Sequence, residues 1–303
     1  MADEPRNRRI MATAPPEDVI ISVRDVVKSF TNSDGESFRV LDGVSVDIVR
    51  GETLVVMGGS GCGKSTLLNC LIGELPIDRG HVRYRTKEMK HAVDIAGMDD
   101  RALNAVRKRF GILFQSGALF NSLTVAENVA LPLREHSYVD ASVIDIVVTL
   151  KLQQVKMLPH RDKLPSQLSG GQKKRAGLAR ATALDPEILF YDEPSAGLDP
   201  VTSAAIDDLM MDLSKKLHVT SVVVTHEMDS AFRIADRMVM LDKGRVLRTG
   251  TRADFESLRD KPVESLTHED DRLMHQFLNG ATSGPLTDAE GTSEFENQLM
   301  IHG

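Results

Sequence analysis

A glycine-rich loop that ends in a lysine and a serine is the strongest candidate for chemistry in this sequence. Residues 58–65 read GGSGCGKS, which fits the pattern G-x-x-x-x-G-K-[ST]. Glycines let successive backbone N–H groups turn inward around phosphate oxygens, and the start of the following helix adds partial positive charge. We expect Lys64 to contact the β- and γ-phosphates of a nucleotide and the Ser65 hydroxyl to bind Mg²⁺. The candidate phosphate-binding residues are Gly58, Gly59, Ser60, Gly61, Cys62, Gly63, Lys64, Ser65 and Thr66.

Two adjacent carboxylates follow an apolar run later in the chain. Residues 188–194 read ILFYDEP, so four apolar or aromatic residues would bury a strand and place Asp192 at its carboxyl end, where α/β sheets bind their ligands. We expect Asp192 to hold Mg²⁺, directly or through water, and Glu193 to orient and polarise the attacking water. A buried pair of acids is costly unless a cation compensates it. The loop and the carboxylates together predict nucleotide hydrolysis.

A parallel sheet is needed to bring these residues to one edge. Several apolar runs lack strand-type alternation and are separated by helical patterns, which indicates parallel strands covered on both faces. The runs lie at 53–57, 188–192, 219–226 and 237–242, and the helical patterns at 64–73, 200–217 and 228–235. Asp199 and Pro200 are the expected N-cap and first residue of the 200–217 helix.

The rest of the pattern predicts two further subdomains. Segments 19–27 and 38–49 contain short Val/Ile-rich runs with partial alternation, which favours antiparallel strands. Between about 124 and 184 the strand signals fade and helical patterns dominate, as in Val143, Ile144, Val147 and Val148. We therefore expect a helical subdomain inserted into the sheet domain.

The composition is that of a globular chain. Of the 303 residues, 41% are hydrophobic and 27% are charged, which is ordinary for folded domains. The two cysteines suggest a reducing compartment, and Cys62 is interpreted as a tolerated loop position because no Cys or His lies nearby in sequence. No apolar run approaches the roughly 18–20 residues that span a bilayer, and the N-terminus lacks the apolar segment of a secretory signal. We expect a cytosolic chain that reaches a membrane only through a partner.

The formal net charge of −7 is distributed unevenly along the chain. Residues 281–303 contain four acids and no Lys or Arg, and residues 1–18 contribute −1, so residues 19–280 carry only −2. A near-neutral body lacks the basic excess that generally accompanies binding to nucleic acid. We therefore expect no nucleic-acid partner.

The sequence LSGGQ at residues 168–172 narrows the class of nucleotide hydrolase, because it resembles the signature sequence of ATP-binding cassette (ABC) proteins. A serine hydroxyl and glycine N–H groups at a helix start again form an anion site. Because residues 58–65 already serve the phosphates of one ATP, a second anion site implies a second subunit. The resemblance implies a head-to-tail homodimer with two sandwiched ATP molecules. In it, signature residues of one subunit cover the ATP of the other: Ser169, Gly170, Gly171 and Gln172.

Other landmarks of that family match single positions. The resemblance implies that Gln115, after the run GILF, ligates Mg²⁺ and senses a transmembrane partner, and that His226 contacts the γ-phosphate. It also implies that Asp199 crosses the dimer interface and that Phe30 stacks on adenine. Each of these residues also has an alternative interpretation without a function. Gln115 could be a solvated side chain, His226 a structural histidine and Phe30 a core residue. The implied catalytic residues are Glu193, His226, Lys64 and Gln115, and the implied metal ligands are Ser65, Gln115 and Asp192.

The resemblance covers about residues 19–255 and implies an α/β fold. The expected architecture is a P-loop NTPase with a RecA-like parallel sheet core, an antiparallel β subdomain and a helical subdomain inserted at about 116–184. We expect residues 1–18 to form a flexible N-terminal tail and residues 256–280 to form a C-terminal helical extension. Residues 281–303, rich in Gly, Ser, Thr and acids, are expected to form a disordered tail.

A more specific resemblance lies at residues 111–136, GILFQSGALFNSLTVAENVALPLREH. This segment resembles the ATPase of the Mla phospholipid transporters, and HQFLNG at 275–280 resembles the C-terminal helix of that group. The resemblance implies a permease of the Mla type, an MCE-domain protein in the periplasm and a small STAS-domain subunit. It places the chain at the cytoplasmic face of the inner membrane, with residues 116–133 toward the permease. Many members of the group have Met where this chain has Gln172.

Two other functions compete with phospholipid transport. An ABC ATPase for another cargo, such as an amino acid, a metal or a lipoprotein, would contain the same hydrolysis motifs. A soluble ABC factor that acts on ribosomes or DNA is a different class, but such factors carry two cassettes or long heptad coiled coils. This chain has one cassette and no sustained heptads. We therefore favour the ATPase subunit of a membrane lipid transporter.

Overall fold

The computed structural model describes residues 17–281, except residues 34, 88 and 90, and in addition Pro285. Most of the two expected tails, 1–18 and 281–303, therefore lies outside the described residues. No helix within the described part of the chain is both long and apolar enough to cross a membrane.

Strands and helices alternate over most of the chain. The strands are β1 (Val19–Thr31), β2 (Ser37–Val49), β3 (Thr53–Met57), β4 (Arg79–Tyr84), β5 (Val93–Asp94), β6 (Phe110–Leu113), β7 (Ile188–Asp192), β8 (Thr220–Val224), β9 (Arg237–Asp242) and β10 (Arg245–Thr251). The α-helices are α1 (Lys64–Leu71), α2 (Asp100–Arg107), α3 (Val125–His136), α4 (Ala141–Gln154), α5 (Gly170–Ala181), α6 (Pro200–Leu217), α7 (Met228–Ile234), α8 (Arg252–Arg259) and α9 (Glu269–Asn279). Short 3₁₀ turns lie at Leu158–His160, Pro165–Gln167 and Val263–Ser265.

The strands form two sheets, which confirms the predicted α/β fold. A six-stranded sheet has the order β10-β9-β3-β8-β7-β6, and it is parallel except for β10 at its edge. A four-stranded antiparallel sheet has the order β2-β1-β4-β5. The predicted antiparallel strands at 19–27 and 38–49 are thus confirmed, although β1 runs on to Thr31.

The parallel strands lack alternation because both faces of their sheet are buried. Alternate residues of a strand point to opposite faces, and here each face packs on its own apolar cluster. Tyr191 and Val223 belong to one cluster, whereas Phe190, Val222 and Val224 belong to the other. All five residues of β3 are buried accordingly.

Helices α3, α4 and α5 lie in the region where strand signals fade. Helix α3 begins with a capping box between Thr124 and Glu127. Helix α4 buries Ile144 and Val148 but exposes Ile146 and Leu150. Helix α5 packs against both of these helices and against β6, so the helical segment is attached directly to the sheet.

The C-terminal helices complete the core on one face of the parallel sheet. Phe255 of α8 and Met274 and Leu278 of α9 are buried in the cluster that contains Tyr191 and Val223. Helix α8 crosses the position at which the C-terminal extension was expected to begin, after residue 255.

Candidate nucleotide-binding and hydrolysis site

Strand register brings the predicted phosphate and carboxylate residues to one edge of the sheet. Val56 in β3 pairs with Val224 in β8, and Val224 pairs with Asp192 in β7. All three strands are parallel, so their carboxyl ends meet. The residues that follow these strands therefore emerge at that common edge. They are the loop 58–65, Glu193 and the turn that contains His226. Strand β8 ends at Val224, two residues before the predicted end at His226.

The glycine loop has the backbone that its sequence predicts. Gly58 has φ 150°, and a Cβ there would lie 2.2 Å from the carbonyl oxygen of Leu241. Gly63 is the N-cap of α1 in a left-handed conformation, with φ 106°. Both positions need glycine, because their φ angles are positive and a Cβ atom would clash with neighbouring atoms. The loop can therefore direct backbone N–H groups inward at the start of α1, as an anion site requires.

Lys64 is the first residue of α1 and is held inside the loop. Its Nζ donates hydrogen bonds to the carbonyl oxygens of Gly58 and Gly59, at 2.8 and 2.9 Å. The side chain is 8% exposed, so the ammonium is pre-positioned rather than free in solvent. Ser65 is exposed, and Thr66 is half-buried.

Glu193 contacts His226, the residue that the family resemblance assigns to the γ-phosphate. Oε1 of Glu193 lies 2.8 Å from Nδ1 of His226, and the His226 backbone N–H donates to Oε2 at 3.4 Å. The Glu193 residue is 9% exposed, whereas 59% of the His226 side chain is accessible. A carboxylate shielded on one side and oriented by a histidine is well placed to accept a proton from water.

Asp192 has an unpaired oxygen in a buried position. Its Oδ1 has no hydrogen-bond partner, although buried side-chain oxygens normally have one. Burial and then the Glu193 carboxylate raise the pKa of Asp192, and the charge of Lys174 and the nearby Ser65 hydroxyl oppose this rise. A cation at this oxygen would remove the penalty.

Gln115 and Asp192 line one open cleft of about 570 Å³, with Phe114 and Ser116 beside them. The described residues contain no group of three or more His, Cys, Asp or Glu that could hold a metal ion. The predicted Mg²⁺ ligands are instead a hydroxyl, an amide and a carboxylate, the oxygen donors that Mg²⁺ prefers. The orphaned Asp192 oxygen, the adjacent amide of Gln115 and the exposed Ser65 fit this ion.

The signature residues form the start of α5. Ser169 is the N-cap, and its hydroxyl accepts from the Gln172 N–H at 3.3 Å while Gln172 Oε1 accepts from the Ser169 N–H at 3.0 Å. Gln172 Nε2 lies 3.2 Å from Nε2 of His160. The Gln172 side chain is thus engaged within its own chain, a role that the sequence did not indicate.

Close packing gives a second reason, besides anion binding, for glycine at positions 170 and 171. A Cβ at Gly171 would lie 2.6 Å from Cγ2 of Thr202, and one at Gly170 would lie 3.2 Å from Cδ2 of Leu198. The start of α5 therefore packs closely on the start of α6. Ser169 and Gly170 remain exposed, so the predicted anion site is accessible to a second molecule.

Exchange of Gln172 for methionine should test the capping role. We expect Gln172→Met to lower the free energy of unfolding by roughly 0.5–1.5 kcal/mol, because a net hydrogen bond of the capping box is lost. ATP turnover should persist, since the Ser169 hydroxyl and the helix N-terminus remain. Urea unfolding measures the first quantity, with Gln154→Met at an exposed position of α4 as the control. Abolished turnover in a folded variant would contradict this assignment.

Asp199 is already engaged in its own chain. Its carboxylate caps α6 by accepting from the N–H groups of Val201 and Thr202, and the Thr202 hydroxyl donates to it at 2.5 Å. The bond from that hydroxyl is the main cause of a lowered pKa of Asp199. The predicted N-cap is confirmed.

Phe30 lies at the end of β1 beside a second aromatic residue. The rings of Phe30 and Phe38 stack with centroids 6.2 Å apart, and Nζ of Lys28 lies 5.4 Å from the Phe30 centroid. Phe38 is 51% exposed. The sequence analysis missed Phe38, because the pairing of β1 with β2 places it opposite Phe30.

Lys174 is the other residue that the sequence analysis missed. It is 4% exposed, and its Nζ donates to the carbonyl oxygen of Glu193 at 2.9 Å. Burial lowers the pKa of Lys174, and the carboxylates of Asp192 and Glu193 oppose that shift. Its position next to the signature was the only sequence signal.

Comparisons with known proteins identify the family of this chain. Residues 41–196 match the family model described as ABC transporter. The chain is 39% identical over 279 residues to the probable ribonucleotide transport ATP-binding protein mkl of Mycobacterium leprae, covering 92% of this chain and 74% of that protein. It is 36% identical over 281 residues to the intermembrane phospholipid transport system ATP-binding protein MlaF of Escherichia coli K12, covering 93% of this chain and 96% of that protein. A dimeric post-hydrolysis structure of the ATP-binding cassette MJ0796, bound to ADP and Pi, superposes with a TM-score of 0.69 and 30% identity over 77% of this chain and 99% of that one. The chain belongs to the ABC transporter family and is an ATP-hydrolysing subunit of that family.

Proposed function

We propose that this chain powers phospholipid transport through a membrane permease, as a head-to-tail homodimer that binds two ATP molecules. The observation that carries the hydrolytic part is the common sheet edge, where Lys64, Asp192 and the Glu193–His226 pair converge. The likeness to MlaF over nearly the full length of both chains supports the phospholipid cargo.

Within one subunit, each side chain has a distinct role in the proposed reaction. Lys64 neutralises charge on the β- and γ-phosphates. Glu193 orients the attacking water and accepts its proton, while His226 holds the Glu193 carboxylate and faces the γ-phosphate. Phe30 stacks on adenine. Mg²⁺, when bound by Ser65, Gln115 and Asp192, supplies charge neutralisation at the phosphate oxygens.

The second subunit completes each site. Ser169 and Gly170 are exposed at the start of α5, where a helix N-terminus favours an anion. In the proposed dimer this site covers the γ-phosphate bound by the partner subunit, with Asp199 at the interface. The dimeric cassette of MJ0796 supports this arrangement.

The proposed permease contact lies at residues 116–133. Phe120 is 53% exposed, yet its backbone is fixed: its N–H donates to the buried Asn128 side chain at 2.8 Å, and its carbonyl oxygen accepts from Asn128 at 3.1 Å. An exposed ring on a fixed backbone is suited to docking. Through this contact the subunit would lie peripherally at the cytoplasmic face of the inner membrane, together with an MCE-domain protein and a STAS-domain subunit.

Affinity purification of the tagged full-length chain from its own membranes tests the transport proposal. We expect an Mla-type permease, an MCE-domain protein and phospholipid to copurify. A periplasmic amino-acid-binding protein in their place would contradict the phospholipid cargo. The 39% identity to a protein named for ribonucleotide transport makes a nucleotide cargo the second candidate, and mass spectrometry of the bound small molecules distinguishes the two.

The same purification can locate the permease contact. Phe120→Asp should lose the permease, because a charged side chain replaces an exposed aromatic one in the docking segment, while ATP binding is retained. Tyr138→Asp changes another exposed aromatic residue outside that segment and should retain the permease. Retention of the permease by Phe120→Asp would remove Phe120 from the contact.

A further inference from the structure

A buried lysine next to Asp192 and Glu193 has no part in the functions described so far. Lys174 lies in α5 and is 4% exposed. Its Nζ donates to the Glu193 carbonyl oxygen at 2.9 Å, and the carboxylates of Asp192, Glu193 and Glu227 lie near enough to act on its charge. Burial of an ammonium group is costly unless it is paired and hydrogen-bonded. The position therefore has a specific role at the Glu193 peptide.

The backbone of Glu193 needs such support. Glu193 has φ +47°, a left-handed conformation that is unfavourable for a residue with a side chain and that persists only where the surroundings enforce it. Its N–H donates to the carbonyl oxygen of Val224 at 2.9 Å. Its carbonyl oxygen accepts from Lys174 at 2.9 Å and from the Ala196 N–H at 3.2 Å. The peptide groups on both sides of the Glu193 Cα are thus anchored, and the side chain is directed to His226.

Lys174 also belongs to the helix that begins with the signature. It follows the N-cap Ser169 by five residues in α5, which corresponds to about 7–8 Å along the helix axis. In the proposed dimer, α5 would therefore contact the partner's ATP through Ser169 and the Glu193 peptide through Lys174.

We propose that Lys174 is a positioning residue, which helps to hold the Glu193 peptide in its left-handed conformation. The inference rests on the proposed role of Glu193 in hydrolysis. Loss of the ammonium leaves the Glu193 carbonyl oxygen with only the 3.2 Å hydrogen bond from the Ala196 N–H, so the Glu193 peptide is held less firmly and the carboxylate loses its fixed direction toward the attacking water. Small displacements of a catalytic group cost large factors in rate.

Steady-state ATPase kinetics of the purified full-length chain test this positioning role. Lys174→Met should lower kcat on the order of 10–100-fold and change KM for ATP by less than about threefold, because positioning affects the transition state more than ATP binding. Lys174→Arg should recover most of the loss, since a guanidinium can donate to the same carbonyl oxygen. Lys174→Ala, which also lacks a donor, replaces the Met variant if that one does not fold. Lys151→Met is the matched control, because Lys151 is also buried and paired, with Asp185 at 2.5 Å, but lies in α4.

A double-mutant cycle with Glu193→Gln separates positioning from structural damage. If Lys174 acts through Glu193, Lys174→Met should lower the residual single-turnover rate of Glu193→Gln by less than about threefold. An equal loss in both backgrounds would overturn the proposal, and so would normal kcat in Lys174→Met alongside an impaired Glu193→Gln. Normal turnover in Glu193→Gln alone would instead overturn the assignment of Glu193, whatever Lys174 does.

Discussion

Glu193→Gln is expected to lower kcat for ATP hydrolysis on the order of 10²–10⁴-fold while ATP still binds. Glutamine has the shape of glutamate and can still accept a hydrogen bond from His226, but it cannot take a proton from water. The phosphate loop, Lys64 and Asp192 are unchanged. The variant should therefore reach the ATP-bound state and stop there.

An arrested ATP-bound state has a structural consequence in the proposed dimer. If hydrolysis separates the two subunits, Glu193→Gln should accumulate as a dimer in the presence of ATP and return to monomer when ATP is removed. Size-exclusion chromatography with light scattering measures the mass, and phosphate release measures turnover. The two readouts test different steps of the proposed cycle.

Glu187→Gln is the matched control for this variant. Glu187 directly precedes β7, at the opposite end of the strand from Glu193, and pairs with Arg50 at 3.1 Å. Its exchange removes a carboxylate and a partly exposed ion pair, which is worth little, without touching the site edge. Near-normal turnover in Glu193→Gln, or turnover equally low in Glu187→Gln, would contradict the assignment of Glu193 as the general base.

Local patterns were sufficient to predict the sheet core and the phosphate loop. The loop 58–65 needs glycine at defined positions and lies between a buried strand and a helix, so its sequence determines its backbone. The ILFYD run fills both faces of the sheet, which is why it lacks alternation and why Asp192 lies at the strand end. These features depend on neighbours in sequence.

Contacts between distant elements were not predictable in the same way. Lys174 looks like a surface residue of a basic helix until α5 packs on the sheet and brings Nζ to the Glu193 carbonyl oxygen. The space that Gly171 leaves is filled by Thr202, a residue of another helix. The Gln172 amide meets His160 from a separate turn. Such roles follow from tertiary packing between distant segments, which the local hydrophobic pattern of a single sequence does not reveal.

Lys64→Ala should act one step earlier than Glu193→Gln. A charge-assisted hydrogen bond is worth about 1.5–3 kcal/mol, so loss of the ammonium should weaken ATP binding on the order of 10–100-fold. The structure sharpens this expectation, because Lys64 is already fixed in the loop by the carbonyl oxygens of Gly58 and Gly59. Little conformational freedom is therefore lost when it meets a phosphate.

Titration calorimetry with ATP measures the affinity, and Lys216→Ala is the control, because Lys216 is an exposed lysine paired with Asp212 in α6. Unfolding in urea shows whether Lys64→Ala is still folded, since the substitution removes the Lys64 hydrogen bonds to the Gly58 and Gly59 carbonyl oxygens and leaves Gly59 only the Cys62 N–H at 3.4 Å. Unchanged ATP affinity in the folded variant would contradict the phosphate assignment. The double variant Lys64→Ala/Glu193→Gln orders the two steps: if ATP must bind before the subunits associate, the dimer that Glu193→Gln accumulates should disappear at ATP concentrations that saturate only the single variant.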